Sequence, residues 1–316
     1  MPSFDTNANL VLGVDGGGSH VLCVLAEAST GRELGRGEAG PANLQAVGVE
    51  NALREIDLSV QRAFEAARLP RSRVAAACLG LAGVDWSNGL DVIQAWSDRA
   101  GLTAKISVAN DATLLLAAGT AEGWGLAVVC GTGSIAFVRT PDGTEGRAGG
   151  WGYLLGDEGS AFQVTLSALR LAARSADGCI GPTVLVDLFM KRMGAATPAA
   201  IIDAVYRGEW DRAALAALAP LVLEAAENGD TLACQVVEKQ ASELALTAVT
   251  PVLKHKLPCE NLPVALTGGL LLRSASYRRR FLEAMKQRGV TPGQVQLVEQ
   301  PALGAVAIAR RSLSGN

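Results

Sequence analysis

Two short glycine-rich segments, each flanked by apolar runs, have the composition of phosphate-binding turns. The first follows the run Leu10–Val14, and the second follows the run Leu126–Cys130. A turn of glycines and small hydroxyl residues presents backbone N–H groups at close range to phosphate oxygens. An ordinary tight hairpin has a similar composition, so one such segment alone does not decide between the two interpretations. The candidate phosphate-binding residues are Gly16, Gly17, Gly18, Ser19, Gly131, Thr132, Gly133 and Ser134.

An internal repeat favours the phosphate-binding interpretation. The two segments lie about 115 residues apart, and each is followed by a second hairpin signal, at Ser29–Glu33 and at Pro141–Thr144. A chain that repeats a strand–turn–strand unit in this way is built from two related halves. Two such turns can bind a triphosphate from both sides.

Two carboxylates occupy positions that suit a metal ion and a proton transfer. Asp15 ends the first apolar run, where its carboxylate could hold Mg²⁺ or a water bound to it. Asp111 follows the short strand predicted at Ile106–Asn110 and begins an apolar helical segment. The carboxyl ends of strands in an open α/β sheet face the ligand, but a helix N-cap would also explain an Asp here. Asp111 is a candidate general base with this alternative open.

The longest glycine-rich stretch, Ala148–Ser160, is a candidate substrate loop. Glycine loses more backbone conformational entropy on folding than any other residue, so a simple connector would not be expected to contain so many glycines. Asp157 or Ser160 of this stretch could instead simply cap the helix that follows.

Two shorter turns are further candidates. Asn43 follows a Gly-Pro-Ala break and could simply turn or cap the backbone there. Gly268 and Gly269 follow the buried strand predicted at Leu262–Leu266. Two glycines would let the backbone approach a flat adenine ring, and a plain strand-to-helix turn fits the composition equally well.

Helical periodicity predicts the elements that cover the strands. Apolar spacing predicts amphipathic helices over Val49–Arg68 and Asn88–Ala100. Residues 177–256 are almost wholly helical in pattern, with long helices at Asp211–Asn228 and Asp230–Leu253. In the last helix, residues 302–313, Gly304 would permit close packing.

The composition excludes several classes of protein. The 316 residues, 49% hydrophobic and 19% charged, are typical of a globular chain with room for two domains. A net charge of −3 argues against a nucleic-acid partner. The apolar runs are short for a membrane span, the first nine residues lack a signal-peptide pattern, and the six cysteines are scattered. We therefore expect a cytoplasmic protein without a membrane partner.

In chain order these motifs resemble the actin, sugar-kinase and Hsp70 ATPase superfamily, and within it the branch of N-acetylglucosamine kinases and BadF/BadG-type ATPases. The resemblance covers residues 10 to about 310. The motifs that carry it are Val14–Ser19, Pro41–Asn43, Leu79–Gly83, Asn110–Ala112, Gly131–Ser134, Gly149–Gly152, Gly156–Ser160 and Leu266–Gly269.

The resemblance implies an α/β fold of two ribonuclease H-like (actin-like ATPase) domains, each with a mixed five-stranded sheet, and a cleft between them. We expect the domains at 1–117 and 118–316. The C-terminal helix, about 302–314, is expected to return to the first domain, and the second domain is expected to carry a helical insertion at about 177–256.

The resemblance also implies an ATP-dependent kinase that phosphorylates an amino sugar, most closely N-acetyl-D-glucosamine at its 6-hydroxyl, with Mg²⁺ and as a homodimer. Glucosamine and N-acetylmuramic acid are alternative acceptors, and a BadF/BadG-type ATPase without a sugar substrate is an alternative function. The implied roles are metal binding by Asp15, proton abstraction by Asp111, adenine contacts by Gly268 and Gly269, and sugar contacts by Asn43, Asp111, Gly150, Trp151 and Asp157.

Three positions depart from the animal-type N-acetylglucosamine kinases. Gln45 stands where those enzymes carry an aromatic residue, Ile135 where they carry Asn, and Ala82 where they carry Ser. The missing polar contacts leave the identity of the amino sugar open.

Overall fold

The computed structural model describes residues 9–17, 20–81, 89–103, 105–207 and 210–313. Gly18, Ser19 and Ala82, named above as functional positions or departures, lie outside these ranges. The side chain of Gln45 is likewise outside the described part of the structure.

Two compact units make up the chain. The first combines Met1–Trp124 with Gln300–Asn316, and the second is Gly125–Glu299. The first unit therefore includes the C-terminal helix and continues beyond residue 117, where the sequence predicts a domain boundary.

A five-stranded mixed sheet forms the centre of the first unit. Its strands are β1 (Leu10–Gly16), β2 (Val21–Glu27), β3 (Glu33–Ala39), β4 (Ala76–Leu81) and β5 (Ile106–Ala109). Its helices are α1 (Leu44–Val47), α2 (Val49–Ala66), α3 (Gly89–Arg99), α4 (Asp111–Gly119) and, from the C-terminal end of the chain, α13 (Ala302–Leu313).

The order of strands in this sheet is β3-β2-β1-β4-β5. The first three strands pair antiparallel as two consecutive hairpins, whereas β1, β4 and β5 run parallel. Every residue of β4 is buried, as expected of a strand covered on both faces. Leu53, Ile56, Val60 and Phe64 of α2 are buried and cover one face of the sheet, which confirms the predicted amphipathic helix.

The second unit repeats this sheet. Its strands are β6 (Gly125–Cys130), β7 (Ser134–Arg139), β8 (Glu145–Gly149), β9 (Glu260–Thr267) and β10 (Thr291–Leu297), in the order β10-β9-β6-β7-β8. Pairing is antiparallel from β6 through β8 and parallel from β6 through β10. The two sheets have the same order and strand directions, so the internal repeat predicted from the two glycine-rich hairpins is confirmed.

The helices of the second unit lie mostly between β8 and β9. They are α5 (Ala161–Ala176), α6 (Leu185–Met193), α7 (Ala200–Tyr206), α8 (Arg212–Ala216), α9 (Ala219–Glu227) and α10 (Thr231–Lys254), followed after β9 by α11 (Gly269–Arg273) and α12 (Ala275–Gln287). The single helix predicted at Asp211–Asn228 is divided into α8 and α9. Pro220 lies in the first turn of α9, where its missing N–H costs nothing. Among the helices of the described residues, none combines the length and apolar character needed to cross a bilayer.

Close packing of α13 on α4 depends on Gly304. A Cβ atom at this position would lie 1.9 Å from the carbonyl oxygen of Leu114, so only glycine fits without a backbone shift. The apolar face of α13 is buried against β1 and β4 through residues such as Ala302, Ala305 and Val306. The sequence prediction of close packing at Gly304 is confirmed.

Gly304→Ala should destabilise the protein, although alanine has the higher helix propensity. The added methyl group would collide with the backbone of α4, which cannot move aside easily. We expect an overpacking cost of about 1–3 kcal/mol, which exceeds the propensity gain of about 1 kcal/mol. Thermal unfolding should therefore show a lower Tm.

Gly181→Ala is the matched control, because no atom lies within 4 Å of a Cβ built there. Its Tm should be unchanged or slightly higher than that of the unmodified protein. A Gly304→Ala protein with a raised Tm would contradict the packing described here.

Candidate active site

The carboxylates of Asp15 and Asp111 lie near each other at one edge of the first sheet. β4 lies between β1 and β5, and its Gly80 pairs with Asp15 on one side and Ala109 on the other. Asp111 follows Ala109 by two residues and begins α4. The strand register therefore brings together two acids that are far apart in the sequence.

The electrostatics of this pair mark Asp15 as unusual. Burial and the charge of Asp111 raise the pKa of Asp15 to about 6, and His20 opposes part of this rise. Ionising Asp15 in the folded chain therefore costs more than ionising an ordinary Asp, and a bound cation would offset that cost.

Asn110, and not Asp111, caps helix α4. The Asn110 Oδ1 atom accepts hydrogen bonds from the Thr113 N–H at 2.7 Å and from the Thr113 hydroxyl at 2.9 Å. Asp111 is the first residue of the helix, is exposed, and accepts the N–H of Ala112 at 2.9 Å. The capping alternative for Asp111 is wrong, and its role as a general base stays a prediction.

The first turn is held next to Asn43. The Gly17 N–H donates to the His20 carbonyl at 3.0 Å, and the Ala42 N–H donates to the Gly17 carbonyl at 3.1 Å. Asn43 follows at once, and its Oδ1 accepts the Ala46 N–H at 3.1 Å. Asn43 thus turns the backbone as one interpretation of the sequence proposes, and its contact with a sugar stays a prediction.

In the second unit, the turn after β6 meets the glycine pair after β9. The Gly131 N–H donates to the Gly133 carbonyl at 2.9 Å and closes the turn. Gly268 has a φ of +92°, and a Cβ atom there would lie 2.4 Å from the backbone of Cys130. Gly268 is also the N-cap residue of α11. The structure therefore contains both the strand-to-helix turn and a close approach between the backbones of Gly268 and Cys130.

A cavity of about 610 Å³ opens beside these two turns. Its volume lies in the range of small-molecule sites. Helices α8 and α9 form one wall of the cavity, and the segment from Gly269 to Ser276 forms a second. The sequence of α8 and α9 contains no motif that predicts a functional site. The residues that line it are Gly131, Thr132, Ala161, Ala213, Ala216, Ala217, Ala219, Pro220, Leu223, Glu224, Glu227, Gly269, Leu270, Arg273, Ser274, Ala275 and Ser276.

The glycine-rich loop after β8 is hydrogen-bonded to the same turn. The Gly150 N–H donates to the Ser134 carbonyl at 3.2 Å, and the Ser134 hydroxyl donates to the Glu158 carbonyl at 2.7 Å. The Ala161 N–H donates to the Gly131 carbonyl at 2.8 Å. These bonds place the candidate sugar loop directly against the candidate phosphate turn.

Trp151 and Asp157 have opposite environments in this loop. Trp151 is 67% exposed, and the Arg147 guanidinium lies 5.9 Å from the centroid of its ring. Asp157 is only 4% exposed and has a left-handed φ of +60°. Ser160, rather than Asp157, caps α5, because its hydroxyl oxygen accepts the Gln163 N–H at 3.3 Å. The capping alternative for Asp157 is wrong.

Both oxygens of the Asp157 carboxylate are engaged by protein donors. One accepts the Ser134 N–H at 3.2 Å, and the other accepts Nη2 of Arg212 at 2.8 Å. No local sequence pattern points to Arg212, which lies 55 positions further along the chain. The predicted contact of Asp157 with a sugar stays a prediction.

Asp15→Asn should raise the free energy of unfolding at pH 7.5. The pKa of Asp15 is about 6 in the folded chain and 3.8 for the ordinary group. A carboxyl group whose pKa is raised on folding stabilises the folded chain below pH 4, and this stability is lost as the pH rises through about 6. The neutral amide avoids the loss, so we expect a gain of up to about 3 kcal/mol that shrinks towards pH 5.

Denaturant unfolding of the ligand-free protein between pH 5 and 7.5 measures this effect. Asp142→Asn is a control of opposite sign, because hydrogen bonds from Thr140 and Thr144 lower the pKa of the Asp142 carboxyl. That variant should lose stability at pH 7.5. Equal stability of Asp15→Asn and the unmodified chain across the range would contradict the raised pKa.

The sequence and fold are similar to those of several known proteins. A curated N-acetylmuramic acid/N-acetylglucosamine kinase of Clostridium acetobutylicum is 28% identical over 95% of this chain and 98% of its own. The N-acetyl-D-glucosamine kinase of Dictyostelium discoideum is 27% identical over 96% of this chain and 98% of its own. A crystal structure from Chromobacterium violaceum, described as that of a proposed N-acetylglucosamine kinase, matches with a TM-score of 0.71 and 29% identity, over 96% of this chain and 99% of its own.

The family comparison agrees with the motifs. The sequence model of the BadF/BadG/BcrA/BcrD ATPase family matches residues 12–309, which is nearly the whole chain. The predicted resemblance and the predicted α/β fold with two mixed five-stranded sheets are both confirmed. This chain belongs to the BadF/BadG/BcrA/BcrD ATPase family.

Proposed function

We propose that the protein is an ATP-dependent kinase that transfers the terminal phosphoryl group of ATP to an amino sugar. The observation that carries this proposal is the cavity of about 610 Å³, whose wall includes Gly131, Thr132 and Gly269. A nucleotide in that cavity would have backbone N–H groups and a hydroxyl beside its phosphates. Relatives that match over almost their whole length are named as kinases of N-acetylated amino sugars, which supports the choice of acceptor.

The proposed nucleotide contacts are those that the sequence predicts in each repeat. In the second unit, Thr132 is exposed and lines the cavity, and Gly268 and Gly269 would lie along the adenine ring. The proposed phosphate-binding set is Gly16, Gly17, Gly18, Ser19, Gly131, Thr132, Gly133 and Ser134. Turns of this composition hold anions through main-chain groups, so the triphosphate needs few side chains.

Asp15 is the proposed ligand of Mg²⁺. A carboxylate oxygen is the donor that this hard cation prefers. The fit is supported by the raised pKa of Asp15, which burial and Asp111 cause, because such a group gains from a cation beside it. When bound, Mg²⁺ would neutralise charge on the phosphate oxygens during transfer.

Asp111 is the proposed general base. Phosphoryl transfer requires mainly that the attacking hydroxyl be oriented and that its proton be accepted as the bond forms. The Asp111 carboxylate is exposed at the start of α4, while Asn110 meets the capping requirement of that helix. Its side chain is therefore available to accept the proton of the sugar 6-hydroxyl.

N-acetyl-D-glucosamine is the proposed acceptor, with Asn43, Gly150, Trp151 and Asp157 as its contacts. Ile135 lies against Gly150, since a Cβ built on Gly150 would be 2.7 Å from the Ile135 Cδ1 atom. This position offers no polar side chain to the sugar, so glucosamine and N-acetylmuramic acid are the alternative acceptors. The proposal includes a homodimer, which the family resemblance implies, and a cytoplasmic location, which the scattered cysteines favour.

A panel of acceptors tests the proposal directly. ADP formation should require N-acetyl-D-glucosamine, glucosamine or N-acetylmuramic acid, and ³¹P NMR of the product should identify a 6-phosphate ester. Equal ATP consumption with and without sugar would favour the second candidate, a BadF/BadG-type ATPase without a sugar substrate, which the family membership also permits.

Asp111→Asn should lower kcat by about 10²- to 10⁴-fold, the usual contribution of a general base. The sugar KM should change little, because the proton moves only in the transition state. The Tm should stay close to that of the unmodified protein, because Asn110 supplies the cap. Steady-state kinetics with the best acceptor and thermal unfolding measure the three quantities.

Asn110→Ala is the structural control for this experiment. It removes the cap and should cost about 1 kcal/mol of stability, which lowers the Tm. An Asp111→Asn enzyme with an unchanged kcat would exclude Asp111 as the base.

A further inference from the structure

An ion pair between Arg212 and Asp157 lies directly on the second glycine turn. The Arg212 Nη2 atom donates to the Asp157 carboxylate at 2.8 Å. A Cβ atom built on Gly133 would lie 2.7 Å from this Nη2 atom and 2.8 Å from Asp157 Oδ2. The pair therefore touches the backbone of a candidate phosphate-binding residue.

The other oxygen of Asp157 is bonded to the same turn. Oδ1 accepts the Ser134 N–H at 3.2 Å, and the Ser134 hydroxyl donates to the neighbouring Glu158 carbonyl. The orientation of the Ser134 amide and hydroxyl thus depends on where Asp157 and Glu158 lie. Arg212 is the cationic partner observed on that carboxylate.

The charges explain why the position of Arg212 matters. Asp157 is 4% exposed, and a buried carboxylate without a cationic partner is strongly destabilising. An unpaired negative charge beside Gly133 would also repel a phosphate group bound at the turn. Arg212 removes both problems, and its guanidinium is held in place by the Tyr153 ring, whose centroid is 5.3 Å away.

Arg212 also connects the turn with the wall of the cavity. It is the first residue of α8, and Ala213, Ala216 and Ala217, which follow it, line the cavity. The start of α8 is fixed by its N-cap Asp211, whose carboxylate accepts the Ala214 N–H at 2.8 Å. The position of the guanidinium is thereby tied to the helix that would contact a nucleotide.

We propose that Arg212 is a positioning residue: through Asp157 it holds the backbone of Gly133 and Ser134 in the arrangement that phosphoryl transfer requires. The kinetic part of this inference rests on the proposed kinase function. The structural part concerns the order of the turn and does not depend on which reaction the protein catalyses.

Arg212→Gln is the variant that tests the proposal. Amide hydrogen exchange of Ser134 in the ligand-free protein should become faster by at least about 10-fold, since its acceptor loses its partner. The kcat should fall on the order of 10- to 100-fold, as misplaced groups cause in active sites. Arg212→Lys keeps the charge without the planar fork, so both quantities should lie between those of the Gln variant and the unmodified protein.

Arg207→Gln is the matched control. Arg207, the C-cap residue of α7, pairs with Asp203 of that helix at 3.3 Å, and both side chains are exposed. This variant should leave the exchange of Ser134 and kcat unchanged, because it removes an arginine from an ion pair that does not involve the turn.

Unchanged Ser134 exchange in Arg212→Gln would overturn the proposal. Exchange that rises equally throughout the second unit, with a matching fall in Tm and no recovery in Arg212→Lys, would also overturn it, since that pattern indicates general destabilisation. If the unmodified protein consumes ATP without phosphorylating any sugar, the proposed function fails, and the Ser134 exchange still decides the role of Arg212.

Discussion

The buried carboxylate of Asp157 is the constraint on which the candidate site of the second unit depends. A charge removed from water must be met by hydrogen bonds and an opposite charge. Here the Ser134 N–H and Arg212 meet that need, and they come from the start of β7 and from α8. One electrostatic requirement therefore brings a loop, a hairpin and a helix from separate parts of the chain to the same place.

Hydrogen bonds to the neighbouring Gly159 extend this arrangement into the core. The Gly159 carbonyl accepts the buried Tyr277 hydroxyl at 2.6 Å, and its N–H donates to Oε1 of Gln240 at 2.9 Å. Tyr277 belongs to α12 and Gln240 to α10, so both helices fix the end of the loop. Glycine-rich segments are costly to order, and here buried side chains offset that cost by bonding to the backbone.

The sheets of the two repeats have the same topology, but their charged residues lie at different positions. In the first repeat Asp15 directly precedes the first turn glycine, Gly16, and in the second Cys130 occupies the corresponding position before Gly131. Burial, with a contribution from Asp157, raises the pKa of the Cys130 thiol far above its ordinary value, which keeps it neutral. The acidic group next to the second turn is instead Asp157, which is supplied by a distant loop and is paired. The carboxylate whose pKa is raised by burial and by a neighbouring acid belongs to the first repeat.

The sequence by itself determined the repeated strand–turn–strand units, the α2 helix and the family. These features depend on apolar patterns and glycine turns within short stretches of the chain, which the local sequence specifies. Tertiary structure decided which acids are caps and which are not, since Asn110 and Ser160 took the capping roles that Asp111 and Asp157 could also have filled. It also decided that α8 and α9 line a cavity and that Arg212 pairs with Asp157. These contacts join residues separated by dozens of positions, so no local pattern encodes them. They form only when the packed chain supplies a cation and a hydrogen-bond donor to the buried carboxylate.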